Sequence, residues 1–180
     1  MRNRSTIFFY IVMIVPVLIL LSMSFLPTMT YFFGEEILLK TKPLDPRDLF
    51  RGDYVSLRYE INDVPFNLFP EELKSGKEFS KFRDKDLYAI LQRKGNFYTV
   101  EKISFTKPNH PYYLKAKVNL YGPLNEMSAQ NVYVDYQIDR YFVPENTGED
   151  LEKQAREGNL VAKVKVWHGY PLLMEVQKMP

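Results

Sequence analysis

A chain of 180 residues with 46% hydrophobic content has room for one cored domain and an appendage. It holds no cysteine, which excludes disulfide scaffolds, thiolate nucleophiles and cysteine-based zinc sites. Its 24 basic and 22 acidic residues balance once the N-terminal Arg2 and Arg4 are set aside, and a neutral remainder lacks the basic stripe of a nucleic-acid-binding protein.

Between Arg4 and Glu35 there is no charged residue, and fourteen of the positions 7–26 are Ile, Leu, Val or Phe. About twenty such residues suffice to cross a ~30 Å hydrocarbon core as a helix. Their insertion is worth on the order of −4 to −8 kcal/mol, an upper bound because residues away from the bilayer centre count less. A cleaved signal peptide shares the two arginines and the apolar run. This run is longer than a typical signal core, and no small-x-small site follows Leu26-Pro27-Thr28. The expectation is therefore an uncleaved anchor over 7–33. The positive-inside rule then puts 1–6 in the cytoplasm and the domain, 34–180, outside a cell membrane. Tyr31, Phe32 and Phe33 would form the interfacial aromatic belt.

Glu35 to Lys42 reads as a strand, stopped by Pro43 and Pro46. From Tyr54 the residues alternate: Val55, Leu57, Tyr59 and Ile61 point one way, and Tyr54, Ser56, Arg58 and Glu60 the other, which predicts a strand to about Ile61. Asn62 to Lys85 has the composition of a long loop with one short helix near Pro70 to Leu73. Two β-rich runs, 86–93 and 97–105, flank a Gly95-Asn96 turn and predict a hairpin. Further strands are expected over Tyr113 to Leu120 and Val132 to Val143. Thr147 to Glu157 predicts a surface helix, with acidic residues in its first turn and Gly158 as its stop. A last hairpin, Val161 to Trp167 and Pro171 to Gln177, turns at His168-Gly169. Six to eight strands with one helix make a mainly β fold, an antiparallel barrel or sandwich.

Gly52-Asp53-Tyr54, followed by Leu57 and Tyr59, resembles the signature of the bacterial GDYxxLxY family. Asp45-Pro46-Arg47-Asp48 and Tyr141-Phe142-Val143-Pro144-Glu145 resemble its other recurrent segments, and the likeness runs from about Leu39 to Met174. Near the last hairpin the chain departs from the family pattern: Tyr170 follows Gly169 where a small residue or arginine is expected. The resemblance implies an N-terminal anchor with an extracytoplasmic domain and no established reaction. It also implies a polytopic membrane protein as partner, because family members are often encoded beside or fused to one.

Within the motif, Gly52, Leu57 and Tyr59 are expected to be architectural, as are Tyr141 and Pro144. The binding face is expected at Arg47, Asp48, Arg51, Asp53, Tyr54, Ser56 and Arg58, where a tyrosine flanked by arginines has the composition of an interface hot spot. Asp45, Asp48 and Asp53 lack calcium-loop spacing and stand beside competing arginines, so no metal is expected. No phosphate loop, nucleophile elbow or dinucleotide fingerprint occurs, so no cofactor is expected and catalytic residues are not assigned. The expected function is a non-catalytic binding or accessory module for another membrane or envelope protein. The alternative is an anchored hydrolase of peptide or envelope polymer with a signal-peptidase-like layout. It rests on Ser22-Met23 and Pro27-Thr28, whose spacing is too long by two residues.

Overall fold

The computed structural model describes residues 2–43, 54–74, 86–118, 131–143 and 149–179, with only the backbone described at 2–7, Glu149, Asp150 and Glu152. Arg2–Phe33 forms one helix, α1, that contains Pro16 and Pro27. Its segment Phe8–Phe33 is long and apolar enough to cross a membrane, a test that a signal sequence also passes, and its large apolar side chains are exposed.

Among the described residues ten strand segments follow: β1 (Glu35–Lys40), β2 (Tyr54–Ser56), β3 (Asp63–Pro65), β4 (Leu87–Lys94), β5 (Phe97–Ser104), β6 (Tyr113–Val118), β7 (Asn131–Asp135), β8 (Arg140–Phe142), β9 (Leu160–Trp167) and β10 (Tyr170–Lys178). They pair antiparallel in three groups, ordered β1-β9-β10, β2-β8 and β3-β7-β6-β4-β5. Backbone bonds stitch the groups into one nearly closed, barrel-like wall. Thr41 bridges Tyr59, Leu57 N–H donates to the Asp139 carbonyl at 2.7 Å, and Lys115 N–H donates to the Gly169 carbonyl at 2.8 Å. Lys40 of β1 lies over the Phe97 ring of β5 at 4.8 Å across the remaining seam. The inward rows of all these strands merge in one core around Leu39, Tyr59, Leu91, Leu114, Tyr136 and Val164. Closure suits a domain of this size, because a closed sheet leaves few unpaired edges and one continuous apolar interior.

Three expectations need correction. The motif strand ends early: only Tyr54–Ser56 is ladder, and Glu60–Asn62 forms a 3-10 turn. The burial alternation nevertheless persists to Ile61, because the chain stays extended through the Thr41–Tyr59 bridge before it turns. Residues 62–74 are not loop. Asp63–Pro65 pairs with β7 and Phe66–Leu68 is a second 3-10 turn, while the short helix expected near Pro70 to Leu73 is present as α2 (Glu71–Lys74). Val64, Phe66, Phe69 and Leu73 all enter the core, so tertiary burial overrides a turn-rich composition. The expected single strand over Val132 to Val143 is two, β7 and β8, broken where Gln137 takes a left-handed φ of 60°. Val132, Val134, Tyr136 and Ile138 still share the buried side.

The surface helix is present as α3 (Glu149–Glu157), with its own Ala155 buried. Both hairpins form with their turns at Gly95-Asn96 and His168-Gly169.

Candidate functional site

The ladder β2-β8 pairs the two segments that carry the family resemblance, with Tyr54 opposite Phe142, Val55 opposite Tyr141 and Ser56 opposite Arg140. Residues opposed in an antiparallel pair point to the same side. Val55 and Tyr141 therefore turn to the core, and Tyr54, Ser56, Arg140 and Phe142 turn away from it together.

The inner side is held by buried side chain to backbone bonds. Tyr59 donates its hydroxyl to the Ile138 carbonyl at 2.8 Å, and Tyr136 donates to the Ile61 carbonyl at 2.9 Å. Asn62 accepts from Tyr59 N–H at 2.6 Å and donates its amide to the Val134 carbonyl at 2.7 Å. Two of these bonds, from Tyr59 and Tyr136, tie the 3-10 turn after the motif to the gap between β7 and β8, where no ladder exists to satisfy the backbone; the Asn62 amide ties it to β7, and the Tyr59–Asn62 bond closes the turn on itself. Burial pushes both tyrosine hydroxyls far above their ordinary pKa, with the charge of Asp139 adding to the effect at Tyr59. They remain protonated donors throughout the accessible pH range. Leu57 and Tyr59 are both buried in the core.

The outer side carries two arginine–aromatic clusters on one extended row. Arg140 lies over the Tyr54 ring at 5.4 Å, and Tyr54 meets Phe142 edge-on at 5.9 Å. Phe142 is 73% exposed. Four residues along, Arg58 lies over the Tyr133 ring at 5.6 Å. Its guanidinium also donates to Asp63, which accepts from Lys42 Nζ at 2.8 Å as well. Burial would raise the Asp63 carboxyl, but the hydrogen bonds and charges of Lys42 and Arg58 outweigh it and hold the group below its ordinary range. Burial and the nearby Asp135 and Asp139 charges raise the Tyr133 hydroxyl. Arg58 Nε is shielded from solvent without an acceptor.

Of the expected binding residues, Tyr54, Ser56 and Arg58 come together on this face. Arg47, Asp48, Arg51, Gly52, Asp53 and Pro144 lie outside the described residues, as does Asp45. Among the described residues no group of three or more His, Asp or Glu side chains is placed to hold a metal ion. Ser22, on which the hydrolase layout rests, donates its hydroxyl to the Ile19 carbonyl within α1 at 2.8 Å.

Sequence reasoning missed Lys42, Asp63, Tyr133, Arg140 and Phe142. The alternation Arg140-Tyr141-Phe142 carried a signal for two of them, since an inward Tyr141 turns both neighbours outward. Lys42, Asp63 and Tyr133 had no such signal, because they join the motif only through the β3-β7 ladder and the crossing at Thr41.

Set beside known proteins, residues 16–176 match a family model described as GDYXXLXY protein. No curated protein and no solved structure matches the chain.

Proposed function

The chain belongs to the GDYXXLXY family, and from that premise we propose that it is a non-catalytic binding module held in a membrane by α1. Its domain engages a polytopic membrane protein through the outer face of β2-β8. We place residues 1–6 in the cytoplasm, the anchor at 7–33 and the domain, 34–180, outside the cell membrane, because Arg2 and Arg4 flank the span on the N-terminal side.

One observation carries the reading. Among the described residues beyond α1, the large hydrophobic side chains left exposed are Tyr133 and Phe142, and both belong to the motif face. Exposed aromatics set against arginines are the groups that dominate binding energy at protein interfaces. Arg58 already rests on the Tyr133 ring and on Asp63, and Arg140 on the Tyr54 ring, so little side-chain freedom is lost when a partner covers them. The buried network behind the face keeps its backbone rigid.

Photo-crosslinking in intact membranes tests this. A photoreactive phenylalanine analogue replaces Phe142, and a second chain carries it at exposed Lys153 as control. A discrete adduct with a multispanning protein, formed from position 142 alone, is the expected result. Equal labelling from both positions, or none from a folded chain, overturns it.

A further inference from the structure

The end of the domain next to α1 carries features that the motif face does not use. Phe8–Phe33 contains 26 residues and, at 1.5 Å per residue, extends ~39 Å, about 9 Å more than a ~30 Å hydrocarbon core. With Phe8 at one edge of that core, its other edge falls close to Leu26. The β9–β10 turn reaches this level, because His168, Gly169 and Tyr170 line a cavity of about 370 Å³ together with Leu26. The turn is fixed there: Lys165 donates to the Tyr31 carbonyl at 2.6 Å and lies over the Tyr31 ring, and Gly169 seats against Tyr113.

A second cleft on the same end, about 540 Å³, is lined by Phe33, Lys107, His110 and Trp167. The charges around the two clefts are unevenly engaged. Asp135 accepts from Gln137 N–H at 2.7 Å, and Glu35 is hydrogen-bonded to the Tyr112 side chain. Lys115 pairs with Asp86 at 2.8 Å. Lys107 and Lys117 are exposed and form no ion pair with a carboxylate among the described residues, although Asp135 stands opposite Lys117 in the β6–β7 ladder. Half-exposed Trp167 and Tyr170 flank the turn. Amphipathic rings beside lysines without an ion pair suit a headgroup layer that carries phosphate.

We propose that this end of the domain sits in the headgroup layer of the bilayer that holds α1, with Trp167 and Tyr170 at the hydrocarbon boundary and Lys107 and Lys117 on the phosphates of anionic phospholipid. This rests on the reading of α1 as an anchor. The domain is then a platform of set orientation, not a body swinging on a tether, and the motif face is presented at a defined angle to the membrane.

Trp167 is the sole tryptophan, so its emission reports this end alone. The full chain is reconstituted in nanodiscs of phosphatidylcholine with and without phosphatidylglycerol, using lipids brominated high on the acyl chain as quenchers. The expected result with phosphatidylglycerol is about twofold quenching and a blue-shifted emission relative to detergent. Lys107→Glu with Lys117→Glu should return the quenching to the level seen in phosphatidylcholine alone. Emission that brominated lipid leaves unchanged, while α1 still resists alkaline extraction, overturns the headgroup docking and spares the anchor. Release of the chain by alkali overturns the anchor and the docking together. Quenching that persists in full after both charge reversals overturns the role of the lysines.

Discussion

The two sides of the motif strand are built from the same residue types by opposite rules. On the inner side Tyr59 is sealed in the core, and its hydroxyl meets a backbone carbonyl that would otherwise go unsatisfied. On the outer side Tyr54 is half-exposed, set between an arginine over its ring and a phenylalanine meeting it edge-on, neither of which the described domain covers. A tyrosine in the core is there for packing and one hydrogen bond, whereas a tyrosine on the surface keeps its binding area available. The motif thus separates a buried row from an exposed one by a single-residue step along an extended chain.

Substitutions should expose that division, most strongly on the inner side. Leu57→Ala removes a side chain that is 4% exposed and should cost about 2–5 kcal/mol, read as a lowered denaturation midpoint. Tyr59→Phe keeps the ring but orphans the Ile138 carbonyl, with an expected loss of about 1–3 kcal/mol in the same measurement.

Asp63 lies between the two sides. Its carboxyl pKa is lowered in the folded state, so the stability it contributes is complete above its unfolded value near pH 4 and is lost as the pH falls through the lower folded value. Both cations that pair with it are well exposed, and screening limits the gain to about 1 kcal/mol. Asp63→Asn should flatten the acid limb of a stability-versus-pH curve below pH 4. An unchanged limb would mean that the pair is electrostatically idle.

The smallest stability effect belongs to the outer side. Tyr54→Ala should change unfolding by no more than about 0.5 kcal/mol, yet it should abolish the adduct formed from position 142. A Tyr54→Ala chain that unfolds as readily as the Tyr59 variant would erase the contrast.

Sequence patterns reached the elements whose partners are near in the chain. The β4–β5 and β9–β10 hairpins announce themselves by two-residue turns with a glycine that takes positive φ, 63° at Gly95 and 83° at Gly169. Even so, the two turns differ in a way no turn rule states. A Cβ on Gly95 would meet nothing within 4 Å, and one on Gly169 would lie 2.5 Å from the Tyr113 ring. The second glycine is also a packing residue, which depends on β6 lying beneath the turn. The long loop expected over Asn62 to Lys85 failed at its start for the same reason. Val64 and Phe66 find their partners on β7 and in the core, more than sixty residues away in the case of Val132.

By itself the sequence determined the apolar N-terminal helix, the two hairpins, the β-rich class and the inward row Val55, Leu57, Tyr59 and Ile61. Each follows from local periodicity, turn chemistry or composition, which act over a few residues. Only the tertiary structure decided that β2 pairs with β8, that Arg58 and Asp63 meet beside Tyr133, and that the last hairpin turn reaches down to Leu26. Those contacts join segments whose spacing in the chain carries no record of their pairing, because closure of the barrel and burial of the whole core select them at once.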